Sequence, residues 1–318
     1  MDLYGSIAAS PEPVIYLVES FGGPIRRQNP NMPHVFWDDA AVTRGDGVFE
    51  TILVRGGRAL NLDKHVARFI RSAAALALPE PNAAQWVAAT EEAVADYCRE
   101  HLRIDDPSNP PEAKCVWTMT RGRETTGVPT AWLTIRPIGQ EVLRQREEGV
   151  AVVTTPRGLS VAADVPWMAV EAKTLNYAAS MAALRWARAQ GFDDVIYTEP
   201  AADRADGADG ADLAERVLEG ATSTVVMVKK GGRLRTPAPG PGILPGTTQA
   251  ALFDFASERG WKCKAKDIYV NELEKAESVW LVSSTRICAR VTRLNDRELP
   301  APANEAEVRE LITAALEA

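Results

Sequence analysis

Short β-branched runs interleave irregularly with longer amphipathic runs along the 318 residues, and that pattern constrains the fold more than any single motif. Strands are predicted at 13–18, from the Gly45-Asp46-Gly47 turn to Arg55, and at 115–120, 130–135, 150–154, 194–198, 225–228 and 278–282. Gly56-Gly57 turns a hairpin, and a Lys-Lys-Gly-Gly turn before 233–237 makes another. Helices are predicted from Asn61, as N-cap, to about Leu78, from Ala83 to His101, from the Lys173 segment to Gln190, and from Gln249 to Arg259. A last helix opens on a capping box of Asn304 with Glu307. No strict strand–helix–strand rhythm and no internal repeat is present, so the expected class is mixed α/β. The length exceeds one ordinary domain. Arg136-Pro137 and the polar stretch through Glu148 are expected to carry the crossing, giving a small α/β domain at 1–137 and a larger one at 138–318.

Several function classes are disfavoured. A net charge of -7 argues against nucleic acid as the main partner. No apolar run approaches the ~20 residues of a membrane span, and the start lacks the basic and apolar regions of a secretory signal. Cys98, Cys115, Cys263 and Cys288 have no C-x-x-C spacing and are expected as reduced core thiols of a cytoplasmic protein. His34, His65 and His101 lack metal-ligand spacing, so no metal site is expected. Neither phosphate-binding glycine fingerprint occurs, nor the nucleophile elbow of a serine hydrolase. The Ala/Asp/Gly-rich stretch 200–215 does not match a calcium loop and is expected as a mobile acidic surface segment.

The candidate chemistry is carried by a few polar residues. Lys173 stands between an apolar segment and a helix-forming run. A lysine there either snorkels to solvent or, desolvated, offers its amine for Schiff-base chemistry. Gly246-Thr247-Thr248 opens a helix, where unpaired N–H groups attract anions, and Ser283-Ser284-Thr285 follows an apolar strand. Each is either a phosphate site or merely a cap or turn. His65 and Arg68 share one helix face.

Six motifs then occur in order: Arg44-Gly45-Asp46-Gly47-Val48-Phe49-Glu50-Thr51, His65-x-x-Arg68, Lys173-Thr174-Leu175-Asn176-Tyr177, Leu218-Glu219-Gly220 with Thr222-Ser223-Thr224, Leu244-Pro245-Gly246-Thr247-Thr248 and Ser283-Ser284-Thr285-Arg286. In that order the chain, from about Val35 to Leu299, resembles the fold-type IV pyridoxal-phosphate enzymes: the class IV aminotransferases and the 4-amino-4-deoxychorismate lyases.

The resemblance implies pyridoxal 5'-phosphate as cofactor and the two-domain D-amino-acid aminotransferase-like fold, whose larger domain has a barrel-like sheet. It also implies a homodimer. Lys173 would be the Schiff-base lysine and proton shuttle, and Glu219 the partner of the ring nitrogen. Arg68 would reach the cofactor phosphate, with Thr247, Thr248, Ser284 and Thr285 completing the cup. Tyr177 would stack on or hydrogen-bond to the cofactor. The flanks of Lys173 and Glu219 resemble the lyases, which release pyruvate to leave 4-aminobenzoate, a folate precursor. The alternatives are a class IV aminotransferase for branched-chain or D-amino acids, and a weakly catalytic cofactor-binding protein. Phe49 stands where D-amino-acid transaminases place tyrosine, and their Arg-x-His carboxylate trap is absent. Arg286 first, then Arg121 or Arg123, either holds a substrate carboxylate or serves only the surface. The chain departs from the family pattern at Gln249, at Ser223-Thr224 and in the acidic insertion.

Overall fold

The computed structural model describes residues 12–101, 111–158, 172–200, 215–240 and 242–318. They form two compact units: one runs to Gly139 and includes Lys173–Leu175, and the other comprises the remainder from Gln140 onward.

The first unit holds β1 (Val14–Val18), β2 (Ile25–Gln28), α1 (Ala40–Arg44), β3 (Gly47–Arg55), β4 (Arg58–Ala59), α2 (Leu62–Ala75), α3 (Ala83–His101), β5 (Ala113–Thr120) and β6 (Thr130–Pro137). Its antiparallel sheet has the order β2-β1-β6-β5-β3-β4. Alternation along β3 sends Val48, Ile52 and Val54 into a core shared with Phe69 of α2 and Trp86 of α3. Phe69, Trp86 and Trp117 meet there at centroid distances of 4.9–5.5 Å. Asn61 precedes α2 but adopts a left-handed conformation (φ 53°) and makes no side-chain cap, contrary to the sequence expectation.

The second unit holds α4 (Gln140–Glu148), β7 (Val150–Pro156), α5 (Ala178–Ala189), β8 (Asp194–Pro200), β9 (Glu215–Gly220), β10 (Thr224–Lys229), β11 (Arg233–Thr236), α6 (Thr247–Glu258), β12 (Lys262–Ala265), α7 (Val270–Leu273), β13 (Ser278–Ser283), β14 (Ile287–Leu294), β15 (Arg297–Glu298) and α8 (Glu305–Glu317). Among the described residues its sheet runs β12-β11-β10-β13-β14-β7-β8-β9, with β15 on β14. The pairs β11/β12, β14/β7 and β7/β8 are parallel and the rest antiparallel. Val150, Val152, Ile196, Val217, Val225, Met227, Val279 and Leu281 fill its core.

Several expectations are corrected. Arg136 and Pro137 end β6, and the polar stretch after them adds a helix to the expected elements without moving the crossing, since the units divide at Gly139/Gln140. Arg144 pairs with Glu141 and Glu148 one turn to either side at 2.8 and 2.9 Å, which supports α4 without an apolar stripe. Lys173 and Thr174 lie in extended chain, with the helix beginning only at Ala178, and of the α5 residues only Ala187 is buried. Helix α6 starts earlier than expected, at Thr247. Asn304 makes no side-chain cap on α8. All four cysteines are free thiols, but Cys98 and Cys263 are only half-buried. The expected acidic segment falls largely at 201–214, outside the described residues. No described helix is long and apolar enough to cross a membrane.

Candidate active site

In the first unit, the extended Lys173–Leu175 strip is laced to β3 and α2 by its main chain. Phe49 N donates to Lys173 O at 3.0 Å, and Leu175 N donates to Gly47 O at 2.9 Å. Ser72 Oγ, fully buried on α2, accepts from Lys173 N at 3.0 Å. Gly47 is required by close approach: a Cβ there would lie 2.8 Å from Met119 O and 2.7 Å from the Leu175 side chain. The half-buried Lys173 side chain places Nζ 4.4 Å from the centroid of the Phe49 ring.

Beside this strip, Glu50 points inward from β3 on the same face as Val48, Ile52 and Val54, and none of the four is exposed. Arg68 forks onto it, Nε to Oε1 and Nη2 to Oε2, both at 2.7 Å. His65 Nδ1 meets Glu50 Oε2 at 2.7 Å. Burial alone would push the Glu50 carboxyl up, but the Arg68 charge and the hydrogen bonds from Arg68 and His65 bring it down to about 2. Burial first, then the Arg68 and Lys173 charges, holds His65 below its ordinary value against the pull of Glu50. His65 is therefore neutral at physiological pH, and its Nδ1–H is the donor because an ionised carboxylate only accepts. His65, Arg68 and Ser72 recur at helical spacing and present one face of α2. Glu50, His65 and Ser72 carry no role in the sequence reading. A carboxylate in phase with the apolar face of a strand, followed by a helix with His and Arg on one side, was the available signal.

In the second unit, Glu219 is carried by β9. Arg157 Nη2 donates to its Oε1, and Leu244 N donates to Oε2 at 3.0 Å, tying Glu219 to the segment that leads into α6. Arg157 also covers the Tyr197 ring at 5.0 Å. Helix α6 begins behind Gly246, where a Cβ would lie 2.3 Å from Thr224 Oγ1, so a side chain there would have to displace that hydroxyl. Thr247 and Thr248 fill its first turn, both buried. Thr247 Oγ1 lies 3.5 Å from Ser284 Oγ, which joins the two hydroxyl-rich turns. Thr248 Oγ1 is buried and meets no hydrogen-bond partner among the described residues. A buried hydroxyl without a partner, at a helix N-terminus whose N–H groups seek an anion, is the arrangement a phosphate would satisfy.

The remaining sequence candidates are placed as follows. Tyr177 is half-buried at the start of α5. Arg121 reaches Asp46 at 2.6 Å and the Leu76 and Ala77 carbonyls at the end of α2. Arg123 pairs with Asp38 at 2.9 Å and covers the Phe36 ring. Arg286 is buried against Asp194 of β8, Nη1 to Oδ2 at 2.7 Å.

The sequence profile of the amino-transferase class IV family matches residues 47–294. The chain belongs to this family. It is 38% identical over 295 residues, 90% of this chain and 95% of the relative, to the bifunctional aminodeoxychorismate lyase / D-amino acid transaminase of Mycobacterium tuberculosis. The fold matches a hypothetical aminotransferase from the same organism in its PLP-bound form, at 38% identity and a TM-score of 0.82, over 95% of this chain and 98% of that one. It also matches a fold IV transaminase from Curtobacterium pusillum, at 38% identity and a TM-score of 0.81, over 96% and 99% of the two chains. Members of the class IV aminotransferase family are pyridoxal-phosphate-dependent enzymes. Within the second unit the residues fit that cofactor: an anchored carboxylate and, at the start of α6, an anion-seeking turn whose Thr248 hydroxyl has no partner among the described residues.

Proposed function

We propose that this chain is a 4-amino-4-deoxychorismate lyase, releasing pyruvate and leaving 4-aminobenzoate. The observation that carries the reading is the similarity, over 90% of this chain and 95% of the relative, to a relative named for that lyase activity. The same name favours a second reading, transamination of D-amino acids, on the same residues.

Bound pyridoxal phosphate supplies an electron sink for the pair left at the substrate carbon after proton loss. Lys173 Nζ is the base that takes this proton and later returns it. The hydrogen bonds from its main chain to Ser72 and from Phe49 fix where the side chain starts. Glu219, steadied by Arg157 and Leu244, accepts a hydrogen bond from the ring nitrogen and keeps it protonated. Thr247, Thr248, Ser284 and Thr285 donate to the phosphate, and Arg68 adds positive charge. Tyr177 stacks on or hydrogen-bonds to the cofactor, while Phe49 and Arg121 belong to the substrate side. Lyase and transaminase share the proton removal. In the lyase the enolpyruvyl ether then leaves as pyruvate and the carbocycle becomes aromatic, so substrate binding decides between the outcomes. We further propose that it works as a homodimer in the cytosol.

The test is release of 4-aminobenzoate and pyruvate from enzymatically generated aminodeoxychorismate by the protein loaded with pyridoxal phosphate. Equimolar release well above the no-enzyme rate is expected. No release beside an active control lyase, with keto-acid formation from D-alanine, would transfer the assignment to the transaminase.

A further inference from the structure

The turn joining β13 to β14 closes on Ser283 and Ile287, which face each other across the hairpin. Ile287 is buried and has φ +61°, a left-handed conformation that opposes a β-branched side chain and persists only where its surroundings over-determine it. Those surroundings are charged. Arg286 Nη1 meets Asp194 Oδ2 at 2.7 Å, with Asp194 fully buried and Arg286 8% exposed. The other Asp194 oxygen accepts from Val195 N at 2.8 Å. Arg146 of α4 directs Nη2 and Nε onto Thr285 O at 2.6 and 3.2 Å. The carbonyl of Arg146 in turn accepts from Arg309 of α8. A buried ion pair is a poor source of net stability, and its best-attested use is to fix one arrangement among several.

We propose that Asp194 with Arg286, and Arg146 through the Thr285 carbonyl, are positioning residues that hold the Ser284–Thr285 turn, which leads into the left-handed Ile287, in the shape that receives the cofactor phosphate. Arg286 then acts through the turn rather than on a substrate carboxylate. The inference rests on the reading that Ser284 and Thr285 bind the phosphate of pyridoxal phosphate.

The experiment titrates the full-length apo-protein with pyridoxal phosphate and, separately, with pyridoxal, which lacks the phosphate. It compares wild type with Asp194→Asn and with the double variant Asp194→Leu/Arg286→Met, which strands neither charge and covers the case in which Asp194→Asn does not fold. Expected is a rise of about tenfold or more in the dissociation constant for pyridoxal phosphate, the size typical of lost supporting contacts around a bound group, with pyridoxal affinity unchanged. Equal weakening toward both ligands would overturn the proposal, as would wild-type affinity in the folded double variant. A raised substrate KM with unchanged cofactor affinity would overturn it in favour of a substrate-carboxylate role for Arg286. Failure of the wild type to take up pyridoxal phosphate would overturn the cofactor reading itself, and this inference with it.

Discussion

The two units each set a glutamate against an arginine, and the two pairs are built differently. Glu50 and Arg68 are shut away, at 0% and 6% side-chain exposure, and both carboxylate oxygens are committed to the Arg68 fork, with His65 on one of them. Glu219 and Arg157 keep 16% and 23% exposure, and the second oxygen of Glu219 accepts from the Leu244 N–H. Glu50 is wholly buried on the Arg68 guanidinium, whereas Glu219 stays partly open to solvent. The closed pair suits a fixed support beside Lys173. The open one suits a carboxylate that must meet a ligand.

The largest expected effect tests what the closed pair supports. Lys173→Ala is expected to remove the visible absorbance of the bound cofactor and bring turnover to the no-enzyme rate; an unchanged spectrum would remove Lys173 from the chemistry. Next, Glu50→Gln is expected to lower unfolding stability by about 3–5 kcal/mol, because Arg68 loses its buried counter-charge. A urea-unfolding loss below about 1 kcal/mol, the range of exposed pairs, would erase the distinction between the two glutamates.

Glu219→Gln should act the other way round. Stability would change by less than about 1 kcal/mol, cofactor would still bind, and turnover would fall on the order of 10²-fold as charge stabilisation is lost. Wild-type turnover would end the electron-sink role. The smallest effect is in pH. The Glu50 carboxyl is depressed to about 2, so its contribution is complete above its ordinary value near 4.5 and is lost as pH falls through that window. His65 is also depressed, so its contribution is complete above about 6.5 and declines as pH falls below it. Urea midpoints followed from pH 7 downward should show both losses in Glu219→Gln, whereas Glu50→Gln should lack the lower one.

How far the sequence carries depends on where each element gets its stability. Helix α3 and strand β5 are bounded closely by their own periodicity, since their apolar faces meet the first unit's core. Strands β9 and β14 escaped notice because Arg216 and Glu219 interrupt one pattern and Arg290, Thr292 and Arg293 the other. Each becomes a strand through its neighbours, β9 beside β8 and β14 between β13 and β7. Helix α4 has no apolar stripe to detect, only its charge pairs.

By itself the sequence determined the mixed class and the order of six motifs, because alternation, helical period and short motifs are local properties of the chain. It also placed Lys173, Glu219 and the two hydroxyl turns as the residues to watch. Only the tertiary structure decided that Lys173 sits in extended chain pinned by Ser72 and Phe49, that Arg68 forks onto the buried Glu50, and that Arg286 is spent on Asp194. The reason is physical: a charge in a linear sequence has no fixed partner, and burial across distant elements both selects that partner and makes its loss costly.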